Sequence, residues 1–426
     1  MDFLVRPART ISGSLRLPGD KSISHRYAML GAIAEGETKL TNFSTGADCA
    51  STLTCLRTLG VPCEAKDNQI LISGKGPALN PPAAALDCGN SGSTMRMLSG
   101  IVAGQPFTSE LIGDASLSRR PMARIIQPLE KMGARFTSAE GQRPPLRITG
   151  GPLRSIDYAM PVASAQVKSS LLFAGLFAQG ETRVEEPVRT RDHGELALRA
   201  FGANLTRRGN EVSIRGDQKL HAIEATIPGD ISSAAFFLCA AALFPRSHLA
   251  VADLLMNPTR ARLLDLLITM GARISVTQLE EHHGELVGTV QIEGDKLQGT
   301  AVSGPESAAL IDEIPVLAAI APHTSGGIEI RDAHELRVKE SDRIAAVGKN
   351  LRAMGADLEE REDGLKIPGG QQLHGAEIDS HGDHRIAMAF AIAALRAEGE
   401  TLIHDAEAAV TSFPEFFEAL ESVTER

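Results

Sequence analysis

The sequence predicts an α/β protein of two lobes, each assembled from three copies of one strand–helix–strand–helix–strand–strand unit. Three observations carry that expectation. First, a helical run ending in a hydrophobic residue, Gly and a small residue or Val recurs five times, as CLRTLGV, PLEKMGA, ALRAFGA, LLITMGA and NLRAMGA, with glycines at 60, 133, 202, 271 and 355. Self-similarity at a period of roughly 70 to 80 residues is the mark of repeated supersecondary units. Second, six apolar, mostly Ala-rich helices begin near Ser22, Ser91, Ser164, Ser232, Asp312 and Asp383. Third, two short extended segments, Leu15–Pro18 and Thr226–Pro228, lead into matching Pro-Gly-Asp turns.

Each element has a local reason. Gly just past a helix supplies the left-handed C-terminal residue that other side chains resist. Stretches such as ARFTS, ANLTR and ARISV follow these glycines and read as strands. A turn and short strand separate the two helices of a copy, clearest in GETKLTNF, GETRVEEP, GGIEIRDA and GETLIHDA. The sixth copy is truncated, with PEFFEALES as its last helix. The two Pro-Gly-Asp turns place the lobe boundaries: residues 1–18 with 229–426 in one lobe, 19–228 in the other, and hinges near 18–21 and 227–230. The N-terminal strand is then expected to complete a sheet of the lobe holding copies four to six.

Bulk properties narrow the function. At 426 residues the chain exceeds one ordinary core. Hydrophobic residues at 43% and charged residues at 23% describe a packed globule rather than a disordered chain. With 4% aromatics and no Trp, an aromatic groove for nucleic acid is not expected. The five cysteines are odd in number and form no CxxC pair, so free thiols are expected rather than a disulfide framework or zinc site. Nothing resembles a signal peptide or a membrane span, so a cytoplasmic location is expected. The net charge of −10 repels anions, so an anionic ligand needs a local cluster of cations.

Such clusters occur at the helix starts, where unpaired N–H groups and the helix dipole favour anions. Lys21, Ser22, Ser24, His25 and Arg26 open copy one; Gly89 to Thr94 and Arg96 open copy two; Ser164, Gln166, Lys168 and Ser169 open copy three; Asp383, His384 and Arg385 open copy six. Lys and Arg in a first turn oppose the dipole, which suggests a bound anion. Ser118-Arg119-Arg120-Pro121 places paired arginines at a helix start with Pro suited to the first helical position. Arg337 to Arg343 alternates charges into the helix ending at Met354. Other motifs fail: PGDKS has Asp20 where a phosphate-binding P-loop needs Gly, and His381 and His384 lack a third ligand at useful spacing for a metal.

LPGDKSISHR, GNSGSTMR, SRRP, SAQVKS, TRDH, RVKESDR and DHR, in that order, resemble the 5-enolpyruvylshikimate-3-phosphate (EPSP) synthase family along nearly the whole chain. SAQVKS and SFPEF resemble its glyphosate-insensitive class II branch. The resemblance implies a two-lobed inside-out α/β barrel with three βαβαββ units in each lobe. It implies transfer of the enolpyruvyl group from phosphoenolpyruvate to the 5-hydroxyl of shikimate 3-phosphate, without metal or organic cofactor, nucleic acid or membrane, in a monomer. By the same resemblance Asp312 is the base at the 5-hydroxyl, Glu340 carries the proton for C3, and Lys21 straddles both substrates. Ser22, Arg26, Ser164, Ala165, Gln166, Arg191, Asp312 and Lys339 are implied in binding shikimate 3-phosphate. Asn90, Gly92, Arg120, Gln166, Arg343 and Arg385 are implied for phosphoenolpyruvate.

His384 is either a tuning residue or a simple cap. Thr411 stands where some relatives have Lys, so one cationic contact is missing there. Gly92, where the insensitive branch has Ala, points to glyphosate sensitivity. The competing resemblance is to UDP-N-acetylglucosamine enolpyruvyl transferase, which has Lys-Asn-Ala where this chain has Lys21-Ser22-Ile23.

Overall fold

The structure, a computed structural model, describes residues 1–67 and 69–426. The chain separates into two compact units: Met1–Pro18 with Pro228–Glu281 and Leu286–Arg426 (unit 1), and Gly19–Ile227 with His282–Glu285 (unit 2). Residues 282–285 therefore group with unit 2, although they lie inside the span 229–426 that the sequence allots to the other lobe. The reason is local: Glu285 accepts from buried His193 (Nδ1–Oε1 2.6 Å), and the His283 ring lies 3.1 Å from the Glu224 carbonyl.

The six copies are plain in the element order. Copy one contributes helices α1 (Lys21–Ile33) and α2 (Ala47–Thr58). Copy two contributes α3 (Gly92–Ala103) and α4 (Ala123–Met132), and copy three α5 (Ala165–Gly175) and α6 (His193–Ala200). Copy four has α7 (Ile231–Leu243) and α8 (Arg262–Thr269). Copy five adds a short α9 (Pro305–Ala309) before α10 (Ile314–Ile320) and α11 (Arg343–Ala353). Copy six has α12 (His384–Ala394) and α13 (Phe416–Val423).

In copies two, three and five the sheet repeats one pattern. The strand before the first helix runs parallel to the strand after it, and an antiparallel hairpin follows: Leu86–Asp87, Thr108–Ile112, Arg143–Thr149 and Arg135–Ala139 in copy two. Copies one and four trade their opening strands. Thr10–Arg16 pairs in parallel with His248–Leu255 of copy four, and Glu224–Thr226 pairs in parallel with Glu35–Thr41 of copy one. Copy six lacks its hairpin; Phe3–Val5 supplies the antiparallel neighbour of Thr401–His404.

Burial explains the inside-out layering. Every residue of α7, α10 and α12 is buried, as is α1 from Ile23 to Ile33. Small residues let these first helices pack closely, so they form the centre of each unit. The sheets lie outside and alternate, as in Arg143–Thr149, where Pro144, Leu146 and Ile148 point inward. The five repeat glycines have φ between 81° and 117°, the left-handed region that their spacing predicted. In SFPEF, Phe413 and Phe416 pack with Phe237 at centroid separations of 5.5–6.1 Å.

Pro121 does not open a helix. The segment Leu117–Arg119 is a 3-10 turn, Arg120 is extended (φ −80°, ψ 137°), and α4 begins at Ala123. Proline keeps Arg120 extended, which ends the 3-10 turn, and Met122 (φ −116°, ψ 3°) is the last residue before the helix.

Packing of α3 on α5 depends on Gly100, whose added Cβ would sit 2.1 Å from the Ser170 carbonyl oxygen. Gly100→Ala should therefore cost at least about 2 kcal/mol in urea unfolding. Gly151→Ala, with nothing within 4 Å, should change stability by less than about 0.5 kcal/mol. Equal effects would mean that the two helices can part freely.

Candidate active site

Within unit 2 the sequence-predicted residues sit where buried helices begin. Asp20 caps α1 by accepting from the Ile23 N–H (2.9 Å), leaving Lys21 at the first helical position. Lys21 Nζ meets Asp48 Oδ2 at 2.9 Å. Arg26 is 3% exposed and ties α1 to α5: its Nε and Nη2 donate to Ser169 Oγ at 3.2 and 3.0 Å, and Nη1 donates to the Ser22 carbonyl at 2.8 Å. Ser164 caps α5 through the Val167 N–H, which places Ala165 and Gln166 in the first turn.

Gln166 joins two helix starts. Its Nε2 donates to Ser93 Oγ (2.8 Å) and its Oε1 accepts from Arg96 Nη1 (2.8 Å), so α3 and α5 begin side by side. Asn90 and Arg120 also meet: Arg120 Nη2 donates to Asn90 Oδ1 at 2.7 Å, while Asn90 Nδ2 donates to Asp114 Oδ2 at 2.6 Å. A methyl on Gly92 would lie 2.8 Å from Arg96 Nη1 and 3.4 Å from Arg120 Nη1.

Two buried networks brace these residues. His25 Nδ1, Thr52 Oγ1, Thr94 Oγ1 and Ser91 Oγ form a chain with steps of 2.7, 2.7 and 2.8 Å across α1, α2 and α3. Burial, aided by Lys21 and Arg26, holds the His25 pKa well below its ordinary value, so the ring serves as a neutral link. Lys168, fully buried, bridges Glu186 (2.9 Å) and Glu195 (2.8 Å), and Arg207 completes the cluster. Glu186 Oε1 accepts from the Thr190 N–H (3.1 Å) and hydroxyl, which fixes the segment leading to half-buried Arg191. Breaking such a buried cluster at one partner is costly.

Within unit 1 the charged residues form a compact lattice. Asp383 caps α12 through the Arg385 N–H (2.9 Å) and accepts from Arg343 Nε (2.8 Å) and Ser341 Oγ (3.0 Å). Arg343 is 1% exposed and also donates to Glu340 Oε2 at 2.6 Å. Burial disfavours its charge, but Asp383 and Glu340 outweigh that and raise its pKa. Asp312 lies in the turn before α10. Its carboxylate oxygens are 3.9 Å from Arg260 Nη1, 3.9 Å from Arg343 Nη1 and 3.8 Å from Arg385 Nε, and Arg385 Nη1 donates to its carbonyl at 2.7 Å.

Lys339 is half-buried, and burial pulls its pKa below the usual ammonium value despite nearby Asp312. His384 is buried beside Asp383, with Nδ1 4.0 Å from Oδ1. Thr411 is half-buried at the end of a 3-10 turn. The arrangement can hold multiply charged anions on fixed guanidiniums and keep carboxylates ionised beside them.

The EPSP synthase family model, described as 3-phosphoshikimate 1-carboxyvinyltransferase, matches residues 5–420. The chain belongs to the EPSP synthase family. It is 61% identical over 423 residues to the 3-phosphoshikimate 1-carboxyvinyltransferase of Koribacter versatilis, covering 99% of both chains. It is 56% identical to that of Solibacter usitatus over 426 residues, covering all of both. Among solved structures, an EPSP synthase from Acinetobacter baumannii superposes with a TM-score of 0.88 at 43% identity, over 99% of this chain and 98% of that one. The EPSP synthase fold expected from the motifs is thereby shown.

Sequence reading quoted His25, Arg96, Lys168 and Ser169 inside motifs without giving them roles, and it passed over Arg260 altogether. The repeat pattern was the available signal. Arg120 and Arg191 lie between a copy's middle strand and its second helix, Arg343 opens that helix in copy five, and Arg260 lies just before it in copy four.

Electrostatics give a pH signature. Glu195 and Asp383 are buried, which raises their pKa values, but their cationic partners (Arg207 and Lys168 for Glu195, Arg343 for Asp383) outweigh burial and leave both lowered. Carboxylates that release protons more readily when folded stabilise fully above the ordinary range of about 4, and that gain is lost as pH falls through their folded values. Urea midpoints should drop steeply below about pH 4, and Glu195→Gln should make the drop shallower. Parallel pH curves for the two proteins would remove the network from the account.

Proposed function

We propose that this EPSP synthase family member transfers the enolpyruvyl group of phosphoenolpyruvate to the 5-hydroxyl of shikimate 3-phosphate, releasing inorganic phosphate. The observation that carries this reading is the Asp312 carboxylate set among the guanidiniums of Arg260, Arg343 and Arg385 at 3.8–3.9 Å in a chain of net charge −10. A carboxylate kept ionised by neighbouring cations suits proton removal, and arginines suit anionic phosphate and carboxylate groups.

The proposed path is addition followed by elimination. Asp312 takes the proton as the 5-hydroxyl oxygen bonds to C2 of phosphoenolpyruvate, and Glu340 delivers a proton to C3. The Glu340 carboxylate then takes a C3 proton back, and the electrons of that C–H bond restore the double bond as the C2–O bond to phosphate breaks, with Lys21 assisting the departing phosphate. Ser22, Arg26, Ser164, Ala165, Gln166, Arg191 and Lys339 are proposed to hold shikimate 3-phosphate. Asn90, Gly92, Arg120, Arg343 and Arg385 are proposed to hold phosphoenolpyruvate, with Gln166 also serving there. No metal or organic cofactor enters the scheme.

The two units are proposed as the working lobes, with hinges near residues 18–21 and 227–230. A cytoplasmic site of action and a monomeric form are proposed with it. The family match disfavours the UDP-sugar transferase reading.

Phosphate release should appear with shikimate 3-phosphate and not with UDP-N-acetylglucosamine as acceptor; the opposite preference would sink the proposal. Asp312→Ala should lower kcat at least about 100-fold. Arg385→Ala should raise KM for phosphoenolpyruvate tenfold or more (~1.4 kcal/mol) with shikimate 3-phosphate affinity little changed. A loss confined to shikimate 3-phosphate binding would reverse the assignment of the two substrates.

Gly92 makes glyphosate a further probe. A methyl there must displace the Arg96 group that holds Gln166 and would reach Arg120. Gly92→Ala should weaken glyphosate inhibition more than turnover, measured as competition against phosphoenolpyruvate. Equal losses would show only that the loop is disrupted.

A further inference from the structure

Arg260 stands on a rigid turn. Asn257 Oδ1 accepts from the Thr259 N–H (2.8 Å) and hydroxyl (2.7 Å), and the Arg260 N–H donates to the Asn257 carbonyl at 2.8 Å. The side chain is 3% exposed. Its Nη2 donates to Ser232 Oγ in the first turn of α7 and lies 3.6 Å from Glu313 Oε1; the Ser232 hydroxyl also donates to Glu313. The starts of α7 and α10 are thus fastened by this guanidinium together with the Ser232–Glu313 hydrogen bond.

What remains of that guanidinium faces Asp312. Arg260 Nη1 approaches Oδ2 at 3.9 Å, whereas Arg343 and Arg385 approach the other oxygen, Oδ1, at 3.9 and 3.8 Å. Charged groups around this carboxylate include Arg260, Lys339, Arg343 and Arg385, opposed by Glu313 and by Glu340 and Asp383, which share Arg343. Arg343 and Arg385 are both proposed above for phosphoenolpyruvate, and Arg343 also pairs with Asp383 and Glu340. The contacts of Arg260 include Ser232, Glu313 and Asp312.

We propose that Arg260 is a positioning residue for the reaction: it fixes the Asp312 carboxylate through Oδ2 and favours its ionised, proton-accepting form. The inference rests on the reading of Asp312 as the base. A cation near a carboxylate lowers its pKa, by about 1 to 3 units when close and shielded. Removing the cation therefore raises the pH at which Asp312 becomes an effective base.

Steady-state kinetics of the full chain with shikimate 3-phosphate and phosphoenolpyruvate, from about pH 5 to 9, test this. Arg260→Gln should move the acid limb of kcat upward by about one unit, a tenfold loss at low pH that recovers as pH rises, with both KM values within about threefold. Arg260→Lys should restore the limb. Should Arg260→Gln fail to fold because Glu313 loses its partner, Arg260→Gln/Glu313→Gln read against Glu313→Gln alone isolates the same shift.

A pH-independent loss of kcat, or an unmoved limb with a raised phosphoenolpyruvate KM, would overturn the inference in favour of a structural or direct binding role. Asp312→Ala separates the two levels. If it retains kcat and the acid limb, the reading of Asp312 fails; if it abolishes kcat while Arg260→Gln leaves the limb in place, only Arg260 is misassigned.

Discussion

Three buried helices in each unit begin close together, and their unpaired N–H groups and dipoles point positive charge at a small volume. Such a convergence is unstable unless something negative answers it. The two units answer differently. In unit 1 the residues at the starts of α10 and α12 are themselves acidic: Asp312 and Glu313 precede α10 and Asp383 caps α12. These carboxylates in turn gather Arg260, Arg343 and Arg385, giving a lattice in which each charge has an opposite neighbour. In unit 2, Asp20 caps α1 and Asp48 meets Lys21, while α3 and α5 have neutral serine caps with Arg26, Arg96 and Arg120 nearby. Guanidiniums rather than carboxylates thus stand beside the starts of α3 and α5, and the proposed anionic substrates would answer them.

That asymmetry fits a division of labour. A cation-rich set of helix starts suits a phosphorylated substrate, and an ion lattice containing Asp312 and Glu340 suits proton transfer. Fixed dipoles and guanidiniums need no reorganisation as charge develops, which is the economical way to favour a charged transition state. The cost is burial of many ions, and the fold meets it by pairing them: Lys168 with two glutamates, Arg343 with Asp383 and Glu340.

Much of the architecture was legible because it is local and repeated. Left-handed glycines at 60, 133, 202, 271 and 355 and caps at Ser91, Ser164 and Asp383 act over a few residues, so their signals survive in the bare chain. One local signal misled: Pro121 suggested a helix start, but Met122 is not helical (φ −116°, ψ 3°) and α4 begins at Ala123. Residues 282–285 were misplaced because a hairpin tip is assigned by what it touches, and His193 lies 92 positions away from Glu285. The packing of the SFPEF phenylalanines on Phe237 was likewise not legible, because it joins residues far apart in the chain.

By itself the sequence determined the six-copy plan, the family, and the chemical types at each helix start, since periodicity, caps and motif order are written along the chain. Only the tertiary structure decided which oxygen of Asp312 faces which arginine, that Gln166 links α3 to α5, and that Arg260 belongs to the same lattice as Arg343 and Arg385. Those are relations across dozens of residues. They are set by how closely small-residue helices pack, and no local pattern encodes that distance.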